Sequence, residues 1–280
     1  MATDNESLIA QLWLDPLRQI TPLKMVALYG AAMRVLPVGP AHGTANAGGL
    51  LLVSPRAISQ YDQMNYGDVD WVVIPALPAI AGDETIEACV TTILDATGGK
   101  PFVLKTIDTS VVSALERRLQ QPLSYRRALC TFGLPDARFE AGVLSDQSLR
   151  TTAHVPDAAL PLLRAHGIYS DTELSALFAD GSARCHIRFD AGHLASANAV
   201  AVLLTFANTP GIHEIGSLHV RADARRAGHA RALLHWALAD LQARRLAVRY
   251  VVDATNAPSI ALAKAVGLKE QLRLEHWVSA

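Results

Sequence analysis

The segment 214–245 constrains the fold more than any other part of the sequence. Residues 214–220 (Glu-Ile-Gly-Ser-Leu-His-Val) read as a strand. A tight basic loop containing Gly228 follows, and then a helix over 228–245 whose Leu233, Leu234, Ala237, Leu238 and Leu241 lie on one stripe. A strand that feeds a helix through a tight loop belongs to layered α/β structure. What comes next continues the alternation: a strand at 248–253, a helix at 258–266 ended by Gly267, and a strand at 271–278.

The first half reads in the same way. An amphipathic helix is expected at 7–14. A second should start at Thr21-Pro22, a hydroxyl cap followed by proline in the first turn, and run to about Tyr29. Strands are expected at 33–38 and 50–53 around a Gly/Pro/Ala loop at 39–49; residues 58–66 fit either element. A clearer series follows: strand 71–74, helix 84–96 with Ile86, Val90, Ile93 and Leu94 on one face, strand 102–107, helix 110–119 and strand 125–132. Over 135–147 the pattern weakens and polar residues gather, so a domain boundary is expected there, giving domains at 1–140 and 150–280. The second half opens with a strand at 151–155, a helix at 157–166 capped by Asp157, and a helix at 171–178. A strand at 183–189, a turn at 190–192 and a long strand at 193–206 complete it. Both halves thus finish strand, helix, strand, helix, strand. That order fits an internal duplication, and equally the plain alternation of any α/β protein.

Composition narrows the function. At 280 residues two domains are expected, and a net charge of −1 gives no reason to bind nucleic acid or an acidic membrane surface. The 3 cysteines (Cys89, Cys130 and Cys185) are far apart, with neither a disulfide framework nor a metal-binding CxxC spacing. No metal is expected. The acidic, polar start MATDNES does not read as a signal peptide, and the longest apolar run, 199–207, is strand-sized. These features place the expected location in the cytoplasm.

The loop before the 228–245 helix has the physics of an anion site. Amides in the first turn of a helix lack intrahelical partners, and the helix dipole adds positive potential there. A diphosphate fits such a place. Gly228 and Ala230 leave room for a ligand to approach the backbone, and Arg225, Arg226 and Arg231 add charge.

Residues 220–230 resemble the signature of the GNAT superfamily of acyl-CoA N-acyltransferases, with Arg225, Gly228 and Ala230 at its three defining positions. Residues 256–268, from Asn256 to Gly267-Leu268, are similar to the second signature of that family. The resemblance implies a mixed α/β sheet that splays between its fourth and fifth strands, here 214–220 and 248–253. It implies acetyl-CoA as acyl donor, with the pantetheine arm along Leu218, His219 and Val220. The pyrophosphate would rest on Arg226, Ala227, Gly228, His229, Ala230 and Arg231, and Asn256 would also meet the cofactor. The acceptor would be the amine of a small molecule or peptide. Glu214 takes the position of the glutamate base in one branch of the family; read alone, it is equally a solvated strand-end residue. His219 is a candidate proton relay or a structural histidine, on the face opposite Glu214 if the strand is regular; a bulge, common in this strand of the family, would change that. Where many relatives carry a thiolate-protonating tyrosine, this chain has Ala263.

Given that resemblance, the first half looks like a degenerate copy, a tandem arrangement in which it binds no CoA. Its loop after 71–74 carries Pro75 and Pro78, which lack amide hydrogens, and Asp83 and Glu84 stand where a phosphate would sit. A non-catalytic CoA-binding sensor is the alternative in kind, which Ala263 favours. A dinucleotide site is weaker still, because no GxGxxG follows a strand.

Overall fold

The computed structural model describes residues 2–39, 48–134, 146–167, 169–190 and 199–280. The loop at 39–49, the boundary at 135–147, the turn at 190–192 and the start of the 193–206 strand therefore lie wholly or partly outside the described residues. The chain forms two compact units: Met1–Leu129 with Leu272–Ala280, and Cys130–Gln271. The sequence reads as two consecutive domains, 1–140 and 150–280; the structure instead assigns Leu272–Ala280 to the first unit.

Unit 1 contains helices α1 (Ala2–Leu12) and α2 (Ile20–Tyr29), strands β1 (Arg34–Val38) and β2 (Gly49–Pro55), and helix α3 (Gln60–Asn65). Strand β3 (Trp71–Ala76), helix α4 (Asp83–Thr97), strand β4 (Phe102–Thr106) and helix α5 (Thr109–Leu119) follow. Strand β5 (Ser124–Gly133) begins in this unit. β1, β2 and β3 pair antiparallel, and β3 runs parallel to β4. Within the last strand, β11 (Lys269–Val278), residues 275–278 pair antiparallel with β4, Val278 opposite Val103. Alternation along β2 sorts the two cores. Leu51 and Val53 pack with Ile86, Val90 and Ile93 of α4, and Leu50 and Leu52 pack with Leu12 and Leu23 of the first two helices.

Beneath α3 lies a buried polar cluster. Asp62 and Lys105 form an ion pair at 2.5 Å with side chains 0% and 6% exposed. Tyr66 hydrogen-bonds Nδ1 of His276. A buried pair of this kind is costly to break from one side, because the remaining charge is stranded away from water.

Unit 2 holds β6 (Leu149–Thr152), α6 (Leu160–His166), α7 (Asp171–Phe178), β7 (Arg184–Phe189), β8 (Ala199–Thr209) and β9 (Ile212–Val220). Helix α8 (His229–Ala243), strand β10 (Ala247–Asp253) and helix α9 (Ala257–Ala265) complete it. β6 to β9 pair antiparallel in sequence order and β9 runs parallel to β10. The stripe read from the sequence is the buried face of α8: Leu233, Leu234, Ala237, Leu238 and Leu241 are all 0% exposed. They pack with α9 on one face of the sheet, against Ala201, Leu203 and Ile215; Val202, Leu204 and Phe206 meet α6 and α7 on the other.

Two helix starts differ from expectation, and neither has a side-chain cap. α2 begins at Ile20 with Gln19 before it, not at Thr21. α6 begins at Leu160 after Ala159, and Asp157 does not cap it. In α7, Ser170 and Glu173 form a full capping box that satisfies two first-turn amides. The ambiguous stretch 58–66 resolves into α3, capped by the Ser59 hydroxyl.

One buried network closes the α8 side of unit 2. Trp236 Nε1 donates to Thr151 Oγ1 at 2.8 Å, and the Thr151 hydroxyl hydrogen-bonds His186 Nδ1 at 2.9 Å. His186 Nε2 and Thr205 Oγ1 hydrogen-bond at 3.0 Å. Both ring nitrogens are thus partnered, and burial pushes the His186 pKa down to about 4.

Candidate active site

The parallel pair β9–β10 is short. It runs from Ala247 opposite Ile212 to Tyr250 opposite Ile215 and then stops, while β9 stays paired to β8 out to Val220. Residues 216–220 and 251–253 therefore diverge, and Leu218, His219 and Val220 carry no ladder on the β10 side. This is the splay expected between the fourth and fifth strands of the second half.

The same strand carries a bulge. Gly216 faces Leu204 and His219 faces Val202, so three residues of β9 advance against two of β8. Ser217 takes up the extra length with φ 52°, a left-handed backbone uncommon in a residue with a side chain. The bulge overturns the regular alternation expected here. Glu214 pairs with Phe206, Gly216 with Leu204 and His219 with Val202, so Glu214 and His219 share one face, the one toward α6 and α7.

That face is polar near the vertex of the splay. Arg249 of β10 stands opposite Glu214 and its Nη1 donates to Glu214 Oε2 at 2.5 Å, with side chains 7% and 15% exposed. The Asn208 amide donates to the same oxygen. Asn208 Oδ1 and Arg249 Nε are buried with no hydrogen-bond partner among the described residues. Tyr169, in the link between α6 and α7, packs edge-on against Phe206 at 6.3 Å. Its hydroxyl pKa is raised by burial and then by the nearby Glu214 charge. The rings of His166 and His219 lie 5.6 Å apart. Burial lowers both histidine pKa values, helped at His166 by the adjacent His219 ring and at His219 by Arg225, so the neutral form of each ring is favoured at pH 7.

Between β9 and α8 the backbone turns sharply. Arg226 has φ 67° and Gly228 has φ 80°, while Ala227 between them stays on the negative side. Alternating handedness of this kind points successive amides into one concavity, a nest for an anion. Arg225, Arg226, Ala227, Gly228 and Arg231 are exposed, and His229 and Ala230 are half-buried. Among the described residues no amide from 226 to 231 donates to a backbone carbonyl. The nest thus has donors to offer. Glycine at 228 is explained by its φ, since a Cβ there would meet nothing within 4 Å. Arg225 turns back, its Nε donating to the Val220 carbonyl at 3.2 Å, and so fixes the end of β9. Arg226 and Arg231 point charge at solvent beside the nest.

Asn256 caps α9, its Oδ1 accepting from the Ser259 amide at 3.2 Å. Ala263 is 0% exposed and offers only a methyl group. Among the described residues no group of three or more His, Cys, Asp or Glu side chains could hold a metal, and no helix is long and apolar enough to cross a membrane. In unit 1 the loop matching the nest differs. Gln19 Nε2 donates to the Leu77 carbonyl at 3.1 Å, and Asp83 and Glu84 occupy the first turn of α4.

Sequence reasoning missed Arg249, Asn208, Tyr169 and His166. Arg249 had a signal, being a lone charge inside an apolar strand that pairs in register with Glu214. The others come from separate elements that only the fold brings together.

Residues 157–268 match the family model described as the acetyltransferase (GNAT) family. No curated protein sequence matches the chain. Among solved structures, a Drosophila protein is 16% identical, with 99% of this chain and 96% of that one covered at a TM-score of 0.58. A tandem GNAT protein from the clavulanic acid biosynthesis pathway is 12% identical, with 98% and 95% covered at a TM-score of 0.54. The chain spans 66% of a structure from Novosphingobium aromaticivorans described as a GNAT-family acetyltransferase, at 14% identity over 56% of this chain, where the TM-score of 0.42 carries no weight. The splayed strands and the amide nest both lie within the segment that the GNAT family model matches, 157–268, and the fold of the whole chain is similar to that of a tandem GNAT protein.

Proposed function

We propose that unit 2 transfers an acetyl or other short acyl group from acyl-CoA directly to a primary amine on a small molecule or peptide. The observation that carries this reading is the separation of β9 from β10 beside the amides of 226–231, which among the described residues donate to no backbone carbonyl. The gap takes the pantetheine arm along Leu218, His219 and Val220, and the nest takes the pyrophosphate. Asn256 holds the start of α9 at the cofactor's side. Unit 1, with carboxylates at its helix start, shapes no CoA site in this reading.

Glu214 and His219 are the acid–base candidates. The Glu214 oxygen that meets Arg249 and Asn208 is already engaged by both donors. His219, whose neutral form is favoured at pH 7, lies on the same face. We therefore assign His219 to take a proton from the acceptor ammonium, freeing the amine that attacks, and the Glu214–Arg249 pair to set the field around that amine. A sensor that binds CoA without turnover is the second reading, favoured by the methyl group at Ala263.

Thermal shift with acetyl-CoA and with NADH tests the cofactor class: acetyl-CoA should raise the melting temperature and NADH should not. Thiol release with an amine panel then tests catalysis. Turnover lost in Glu214→Gln and His219→Gln with CoA binding retained supports an enzyme. CoA binding with no turnover in any form supports the sensor.

A further inference from the structure

The reaction needs a proton for the departing thiolate, and Ala263 cannot give one. Tyr250 is the last residue of β10 that pairs with β9, so it stands at the vertex where the strands part. Along β10, Arg249 faces the Glu214 side, while Val248, Tyr250 and Val252 face α8 and α9. Tyr250 is 5% exposed and packs in one cluster with Ala263. Burial raises the pKa of its hydroxyl, and the Ser259 side chain, in the first turn of α9, acts on it in the opposite sense.

The position of Ser259 is informative. It lies four residues before Ala263, on the same face of α9, and side chains on a helix lean toward its N-terminus. A tyrosine at 263 would thus lay its hydroxyl over the turn that carries Ser259. Tyr250 brings a hydroxyl to that same turn from the opposite side, out of the sheet. Ser259 is half-buried, so this end of the ring borders solvent or cofactor.

We propose that Tyr250 is the proton donor to the CoA thiolate, supplying from β10 the hydroxyl that α9 lacks. The inference rests on the acyl-CoA reading of unit 2. The amine nitrogen bonds to the thioester carbonyl carbon, the C–S bond breaks, and its electron pair leaves on sulfur. Tyr250 gives its phenolic proton to that sulfur and recovers one from solvent through Ser259. The ammonium gives one proton to His219 and on to solvent before attack, and the nitrogen loses a second to solvent as the intermediate collapses, so the sum is amide, free thiol and one proton. Burial holds the Tyr250 hydroxyl pKa above its ordinary value, so the donor keeps its proton across the working range.

Tyr250→Phe keeps the ring and removes the donor. CoA affinity should be unchanged while turnover falls about 100-fold, with the high-pH limb of the rate profile altered. The thiol of bound CoA, titrated by its ultraviolet thiolate band, should ionise at higher pH in Tyr250→Phe than in wild type. That readout needs no acceptor. Turnover restored in Tyr250→Phe/Ala263→Tyr supports the proposal further. Should Tyr250→Phe fold poorly, Ser259→Ala removes the relay without touching the ring and should change the same pH limb. Wild-type turnover and thiol titration retained in Tyr250→Phe overturn the role of Tyr250 and leave the acyl-CoA reading standing. If the wild type binds no CoA, that reading falls and the role of Tyr250 falls with it.

Discussion

The clasp between Glu214 and Arg249 is open to a double-mutant cycle. The two side chains face each other across the β9–β10 register, one pair before the strands separate, and are 15% and 7% exposed. Charge centres about 4 Å apart at an effective dielectric constant of about 20 attract by about 4 kcal/mol. Desolvation offsets much of this, so the intact pair adds little net stability. Losing one partner is a different matter, because it strands the other charge; for nearly buried pairs that costs about 3–5 kcal/mol. Allowing for the residual exposure of Glu214, Glu214→Gln and Arg249→Met should each cost about 3 kcal/mol. The double variant, with neither charge left, should cost less than the sum by about 2 kcal/mol or more. In melting temperature each single change amounts to about 6–12 °C for a body of this size. Urea denaturation of the four proteins at pH 7 measures the cycle. Single costs below about 1 kcal/mol that add without coupling would mean solvent screens the pair, and the clasp at the vertex would not exist as described. Turnover of Glu214→Gln must accordingly be read well below its melting temperature.

Two further outcomes are expected. Gly228→Ala places a side chain at φ 80°, which costs about 1–2 kcal/mol with no clash to relieve. If the loop relaxes to escape that cost, acetyl-CoA should bind about 5–30-fold more weakly by calorimetry; undiminished affinity would show that the nest is not the phosphate seat. His186, hydrogen-bonded to two threonines, has its pKa depressed by burial from 6.5 to about 4. The unfolded chain therefore takes up a proton that the native one refuses. Its contribution is complete above about pH 6.5 and drains as acid is added, by about 2 kcal/mol at pH 5 and about 3 at pH 4. Denaturation of wild type against His186→Gln should show this slope only in the wild type, and parallel curves would refute it.

Much of the site was legible because it depends on local physics. Glycine before a long apolar stripe, with arginines around it, announces a helix start fit for an anion, and that segment folded as read. What eluded the sequence depends on register and on partners far along the chain. Nothing in Glu-Ile-Gly-Ser-Leu-His-Val declares that Ser217 will bulge and turn His219 to the side of Glu214. Asp157 reads as a cap as good as any, yet the helix starts where Leu162 and Leu163 can be buried, and burial outweighs one capping bond. Tyr250 carries no signal in the sequence; its place at the vertex comes from where the β9–β10 ladder ends.

The assignment of Leu272–Ala280 to unit 1 bears on how this protein comes into being. Val278 lines up against Val103, and His276 sits beneath α3 against Tyr66. A ribosome that has made residues 1–129 has therefore delivered a sheet lacking a strand and a buried tyrosine lacking its partner. The N-terminal body must wait, half-finished and with β4 uncovered on one edge, while all of Cys130–Gln271 is synthesised. Its folding is completed only once Leu272–Ala280 has been made, and a nascent chain stalled shortly before Leu272 leaves that edge exposed to whatever strand it meets first.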